Sequence, residues 1–414
     1  MPTTFYLVLL VQFISTLADN ALLIVVIARV MEMSGPAWLI PVMKISFTVF
    51  YVVLAPLAGP VADAFRKGRV MLLSNLLKTC AVVWLLSGAD PALAITVAGL
   101  GATLYAPAKY GLITELLPGR DLVRANGFFE SVTVCAVILG TVLGGLLVSP
   151  WMPVWHLPPW LGGLATVQST LVAGMLCLVA MNALATGLSL AVADSGARYA
   201  SHSIHPRALI ERFYRENLAL WRDPVGGLSM AVTTLLWGVG ACLQLIVLRW
   251  ASEALGLSLA QAAYLQGVTA AGVIVGAVLA SRYVSLEKAI HLLPVGVLMG
   301  ALVPTLLSVS SITMAVVLLM LVGTLAGFFV VPMNALLQHR GCQLLTAGRS
   351  IAVQGFNENG GMLLMLGAYA LGTAFDLPLS VLVWALGVLI VSGMTLLYIR
   401  RRPGNGTLWH PASH

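Results

Sequence analysis

The chain is 414 residues long, with 59% hydrophobic residues, 9% charged residues and a formal net charge of +7. A soluble domain carries roughly 25% charged residues, so a water-facing surface is excluded for most of this chain. The basic balance does not point to nucleic acid, because the Lys and Arg residues fall mainly in short breaks between apolar runs.

A spanning helix needs about 20 mostly apolar residues. Such stretches recur at 4–29, 37–62, 70–88, 92–114, 126–149, 161–192, 225–250, 260–282, 289–309, 312–337, 350–374 and 379–399. Alternating polarity of the barrel-strand kind is absent. Lipid offers the backbone no other partners, so twelve transmembrane helices are expected. Of the 22 Lys and Arg residues, 17 fall in one set of loops and the tail, only Arg29 and Arg249 fall in the opposite set, and Lys44, Lys78 and Lys109 lie inside spans. This asymmetry predicts that both termini and the long central loop are cytoplasmic.

Charges inside spans cost about 2.5–3.5 kcal/mol each on insertion scales, so each is a functional candidate. The first span carries Asp19 and Asn20 near its middle, with Gln12 two turns away on a similar face. Lys44 stands at comparable height in the second span and is a candidate partner for Asp19. The loop that follows reads Gly59-Pro-Val-Ala-Asp63-Ala-Phe-Arg66-Lys67-Gly68-Arg69. It resembles the facilitator signature GxLADxxGRR, with two extra residues between the aspartate and the glycine. That resemblance implies that Asp63 caps a neighbouring helix and that Arg66 and Arg69 brace a cytoplasmic gate. In the third span, Lys78 is expected to snorkel toward the cytoplasm.

The fourth span contains Tyr105-Ala-Pro107-Ala-Lys109, and the fifth opens on Gly127-Phe-Phe-Glu130. At a rise of about 1.5 Å per residue, antiparallel neighbours bring Lys109 and Glu130 to similar depth. They are expected to pair, either to hold the two helices together or to serve the empty site. Residues 193–224 are the one long polar break and divide the chain into a half at 1–192 and a half at 225–400, with a tail at 401–414. Within the break, Leu209, Ile210, Phe213, Tyr214, Leu220 and Trp221 recur at helical spacing among arginines, which suits either a helix on the anionic membrane face or a solvated connector.

The second half echoes the first. Val330-Val-Pro332-Met-Asn334 answers the Lys109 run at an offset of 225 residues, and Gly355-Phe-Asn-Glu358 answers the Glu130 run at 228. Gln244 in the seventh span corresponds to Asp19 at the first of these offsets. Two such matches in consecutive spans imply a duplication, the layout of major facilitator transporters, whose path runs between the halves. Glu358 has Asn334, not a lysine, in the place of Lys109. With Gln354, Asn357 and Asn359 beside it, the eleventh span is expected to line a cavity and to leave Glu358 free for a cation or a proton.

Enzyme signatures are missing. There is no GxxxxGK, no GxSxG and no HxxxxD, and the cysteines at 80, 135, 177, 242 and 342 form no CxxC. No enzyme, cofactor or metal is expected.

Several longer runs carry a more specific resemblance: QFISTLADNALL at 12–23, APLAGPVADAFRKGRVM at 55–71, YAPAKYGLITELLPG at 105–119, VRANGFFE at 123–130, GFFVVPMNALLQHRG at 327–341 and IAVQGFNENGGMLLMLGAY at 351–369. With these the chain is similar to the lysophospholipid transporter family of Gram-negative bacteria. The resemblance implies movement of lysophospholipids, chiefly of the ethanolamine and glycerol classes, from the outer to the inner leaflet of the cytoplasmic membrane. It also implies a functional partner, an acyltransferase and acyl-acyl-carrier-protein synthetase, that restores the missing chain. A phosphate needs a cation such as Lys109, an ammonium needs a carboxylate such as Asp19 or Glu358, and the acyl chain rests on apolar helix faces or membrane lipids. Gln244 departs from relatives that often carry a basic residue there. Without the resemblance, composition and duplication stop at a facilitator-type transporter of unknown substrate, and an exporter of amphiphilic drugs is the alternative.

Overall fold

The structure, a computed structural model, describes residues 1–34, 39–149, 171–197, 199, 206–257 and 259–400. The helices are α1 (Thr3–Glu32), α2 (Leu39–Val53), α3 (Ala55–Ala64), α4 (Lys67–Leu86), α5 (Pro91–Leu116), α6 (Gly119–Leu147), α7 (Val172–Leu190), α8 (Pro206–Arg222), α9 (Pro224–Leu255), α10 (Leu259–Tyr283), α11 (Leu293–Leu302), α12 (Ile312–Leu344), α13 (Ala347–Ala374) and α14 (Leu379–Arg400). Among the described residues there is no strand.

Ten elements are long and apolar enough to cross a membrane, one of them α11 with its flanking 3-10 turns, and α2 with α3 makes an eleventh crossing bent by 78°. The bend has a local cause. Pro56 lacks an amide hydrogen and its ring collides with the preceding turn, so the helix breaks at Leu54 and restarts at Ala55. The twelfth crossing is α13, whose 28 residues are ample in length but too polar in the middle to read as lipid-facing. Six crossings precede α8 and six follow it, as the duplicated sequence implies. The start of the expected sixth span, part of the central loop and the tail lie outside the described residues.

Helix ends are fixed where the sequence supplies caps. Asp90 accepts hydrogen bonds from the amides of Ala92 (2.9 Å) and Leu93 (3.1 Å) at the start of α5, and Asp223 does the same for Val225 (3.1 Å) and Gly226 (2.7 Å) at the start of α9. Helices α10 and α12 are drawn together by Gly272 and Gly276 facing Gly323 and Gly327. A methyl group on Gly276 would lie 2.0 Å from the Thr324 carbonyl oxygen, so only glycine permits this approach.

The linker helix α8 splits its apolar residues. Phe213 and Leu220 are buried with Ala55, Met230, Leu337 and Val353, and the Phe213 ring meets Phe356 edge-on at 5.2 Å. Ile210 and Tyr214 stay exposed at 60% and 66%. The Trp221 indole donates to Asn357 Oδ1 (2.9 Å), and Asn357 donates to Asn217 (2.8 Å), which fastens α8 to α13.

Candidate functional site

Two sets of polar residues join or line the halves. The first lies at the end of the bundle that carries α8. Asp63 at the end of α3 accepts a bond from the Gly348 amide (2.9 Å) and another from the Thr346 hydroxyl, so a carboxylate from the first half caps α13 of the second. Gly348 must be glycine here, since an added methyl would fall 2.6 Å from Asp63 Oδ1. Lys67 Nζ lies 3.0 Å from Asp63 and 3.2 Å from Glu115, and donates to the Ala62 carbonyl at 2.7 Å. Glu115 accepts the hydroxyls of Ser195 and Tyr199, the latter at 3.0 Å. Burial, and then the Glu115 charge, raise the Tyr199 hydroxyl well above its ordinary value, so it remains a donor. Asn126 on α6 donates to Gln338 on α12 at 2.9 Å. Among the described residues, every hydrogen bond that joins the two halves lies at this end.

The expected Asp63 cap is therefore present, but its basic brace is Lys67, not Arg69. The break between α3 and α4 falls at Phe65 and Arg66, whose backbone is not helical, so Lys67 at the start of α4 turns back onto the Asp63 carboxylate, while Arg69 is exposed. Arg66 pairs outward with Asp194 at 3.3 Å.

The second set lies in the interior. Asp19 Oδ2 is 2.6 Å from Lys78 Nζ, which also donates to Ser15 (2.9 Å). Ser15 donates to Asn75 (2.9 Å), and Asn75 to Ser189 (3.2 Å). Lys78 does not snorkel. It is 1% exposed and is the partner that Asp19 has, while the side chain of Lys44 lies outside the described residues. Burial leaves Lys78 no route to an interface, and Gly101 of α5 gives it room, a Cβ there falling 3.0 Å from Lys78 Cγ. Asp19 keeps one oxygen, Oδ1, buried without a hydrogen-bond partner. Asn20 does not join this set, because its amide donates to the Thr16 carbonyl of its own helix at 2.8 Å. Gln12 donates to Thr16 (2.9 Å) and to Thr133 of α6 (3.1 Å).

Lys109 and Glu130 act on each other electrostatically, as their common depth implies, but they do not form the expected ion pair. Aromatic rings surround the ammonium instead. The Lys109 ammonium lies 4.1 Å from the centre of the Tyr110 ring, 5.7 Å from Tyr105 and 5.8 Å from Phe129. The lysine is 5% exposed and pairs with no carboxylate among the described residues. Its charge is met by ring faces and by the more distant fields of Glu130 and Asp19, against the like charge of Lys78.

Across the seam, Gln354 Nε2 donates to Glu358 (2.8 Å) and to Asn334 (3.2 Å), and the Thr233 hydroxyl, which donates to the Met230 carbonyl at 3.3 Å, lies beside Glu358. Glu130 and Glu358, the repeat-related carboxylates, feel each other's charge. Gln244 is exposed and bonded to Gln266, on the same face of α9 as Thr233 but three turns away. The structure thus brings together Asp19, Lys109, Glu130, Asn334, Gln354 and Glu358 around one interior region, and it does not bring Gln244 into that set.

The family profile described as Major Facilitator Superfamily matches residues 8–357. The Lysophospholipid transporters LplT of Yersinia pestis (strain Pestoides F) and Yersinia pseudotuberculosis serotype O:3 (strain YPIII) are each 40% identical over 372 residues, 90% of this chain and 87% of theirs. The chain belongs to the lysophospholipid transporter family of the Major Facilitator Superfamily. Solved facilitators share the fold at lower identity. The transporter FucP in its outward conformation aligns with a TM-score of 0.72 at 13% identity, over 97% of this chain and 99% of that one. A bacterial homologue of the iron transporter ferroportin in an outward-facing state aligns with a TM-score of 0.70 at 14% identity, over 96% and 100%.

Residues missed in the sequence left faint signals. Ser15 and Asp19 stand about one turn apart on α1, and Asn75 and Lys78 about one turn apart on α4, two polar pairs that lock together. Tyr105, Tyr110 and Phe129 read as ordinary core, and nothing in their spacing marks them as the surroundings of a cation.

Proposed function

We propose that this protein is a carrier, not an enzyme, that moves lysophospholipids of the ethanolamine and glycerol classes from the outer to the inner leaflet of the bacterial inner membrane. The observation that carries this is Lys109, a buried cation with no carboxylate partner among the described residues, set in the fields of Glu130 and Asp19, with Glu358 in turn near Glu130. A headgroup phosphate supplies the anion that Lys109 lacks, and a spare carboxylate suits an ammonium. The curated relatives, named as lysophospholipid transporters, support the same substrate class.

The excess of basic residues orients the end bearing α8 to the cytoplasm, with both termini on that side. Closure at Asp63, Lys67 and Gly348 then makes this an outward-facing arrangement, ready to take lipid from the outer leaflet. Exposed Ile210 and Tyr214 on α8 suit contact with inner-leaflet lipids. The delivered product lacks one acyl chain, so a lysophospholipid acyltransferase with an acyl-acyl-carrier-protein synthetase is the reaction that consumes it.

Uptake of labelled lysophosphatidylethanolamine into proteoliposomes tests this, with a cationic amphiphilic drug as competitor cargo and ion gradients imposed in separate runs. Lysolipid uptake is expected. Drug transport without lysolipid transport would establish an amphiphile exporter instead.

A further inference from the structure

Lys109 sits in surroundings of an unusual kind for a lysine in a membrane protein. Three rings from two helices, Tyr105 and Tyr110 of α5 and Phe129 of α6, lie 4.1 to 5.8 Å from the Lys109 ammonium, Tyr105 being shared with Lys78 at 5.4 Å. Tyr110 and Phe129 are themselves packed at 5.9 Å with their planes tilted by 50°, so they form the corner of a box. Tyr105 and Phe129 are buried at 4% and 1%, whereas Tyr110 is only partly buried and forms the accessible wall. Glu130 follows Phe129 directly and adds a negative field. Two polar atoms nearby in this region lack partners, the Tyr105 hydroxyl and Asp19 Oδ1. A box of ring faces beside carboxylates recognises a cation through the ring quadrupole and selects for an alkylammonium over a neutral polyol.

We propose that this aromatic box is the seat of the substrate lipid's primary ammonium, held by the Lys109 side chain until the lipid arrives. The same chemical group fills the box before and after. When the lipid's phosphate draws Lys109 away from Tyr110, the ethanolamine ammonium, a few bonds from that phosphate, takes the vacated ring faces. The protein then loses no cation–π contact on binding. A glycerol headgroup has no cation to offer, so for that lipid the box is left without its charge, and Lys109 alone recognises it. This proposal rests on the lysophospholipid assignment above and adds to it a structural basis for discrimination between headgroups.

The test is uptake of lysophosphatidylethanolamine and lysophosphatidylglycerol of the same acyl chain by the full chain in proteoliposomes. In Tyr110→Leu the ratio of ethanolamine to glycerol lipid uptake is expected to fall about tenfold, the equivalent of one good cation–π contact. Tyr110→Phe keeps the ring face and should keep the ratio, while Tyr110→Trp, with the stronger ring, should raise it. An equal loss of both lipids in Tyr110→Leu, or an unchanged ratio in Tyr110→Trp where the leucine variant does not fold, would overturn the box as an ammonium seat. Failure of the unmodified protein to move either lipid would instead overturn the lysophospholipid assignment.

Discussion

The two interior lysines behave differently, and single substitutions separate them. Lys78 neutralises Asp19 in a buried, hydrogen-bonded pair, so Lys78→Met strands a carboxylate and should destabilise the protein by about 3–5 kcal/mol, with much of the loss restored by adding Asp19→Asn. Thermal unfolding in detergent measures both, and a Lys78→Met protein as stable as the parent would refute the pair. Lys109 strands nothing when removed, since no carboxylate among the described residues is bonded to it. Lys109→Met should therefore change stability by no more than about 1–2 kcal/mol, the range of the cation–π contacts it loses. Uptake should nevertheless collapse, and normal uptake would exclude Lys109 as the phosphate ligand. Glu358→Gln preserves an oxygen for the Gln354 amide and should fold normally while lysolipid uptake falls, as the same assay will show.

Helices are the units joined at the seam between the halves. The Asp63 cap on α13 exists only while the halves are closed at the α8 end, and Gly348 leaves it no slack. Gly348→Ala should shift the population away from closure by about tenfold, a cost of roughly 1.4 kcal/mol. Cys342, beside Thr114 across the same seam, reports this when it is kept as the sole cysteine: maleimide should label it faster in the alanine variant. An unchanged rate would mean that the seam opens elsewhere. A second joint ties α9 to α12, where Arg340 grips Asp223 at 3.0 and 2.7 Å. Burial opposes the Asp223 charge, but the bond from Arg340, the amide of Gly226, the Arg340 charge and the amide of Val225 hold the carboxyl below its ordinary value. A carboxyl lowered on folding stabilises above its unfolded value, about 3.9, and that contribution disappears as the pH falls through the lower, folded value. The stability gap between parent and Asp223→Asn should be present at neutral pH and close on acidification, and a gap independent of pH would show that shape, not charge, matters at this joint.

Across the whole molecule, the crossings and their duplication were legible because apolar length and a shared offset are properties of sequence alone. Pro107 and Pro332, related by that offset, both lie inside continuous helices, α5 and α12. The site was legible only in part. Charges inside spans announced Asp19, Lys109, Glu130 and Glu358, but which cation met which carboxylate depended on helix rotation, and there Lys78 replaced Lys44 as the visible partner and ring contacts stood where a Lys109–Glu130 ion pair was expected. The Asp63 cap shows the same limit, since Lys67 meets Asp63 where the signature pointed to Arg69. Orientation remains a matter of charge asymmetry, and it has a direct check. A cysteine at Glu211 on α8, whose side chain is 59% exposed, should resist a membrane-impermeant reagent applied from the periplasm, and ready labelling would invert the topology.

The break at Leu54 also bears on how the chain enters the membrane during synthesis. At about 1.5 Å per residue, the 15 residues of α2 and the 10 of α3 reach roughly 22 and 15 Å, and neither alone crosses a hydrocarbon core of about 30 Å. The other crossing that lipid favours least is α13, with its polar middle. These reluctant segments are neighbours in the finished protein, since α2 and α3 both pack on α13 and Gly59 touches the Arg349 backbone. Their partner is translated nearly 300 residues later. The second crossing must therefore wait, held provisionally by its immediate neighbours, until the ribosome delivers the helix that completes it. A nascent chain stalled before α13 should leave residues 55–64 open to labelling, and release of the full chain should close them.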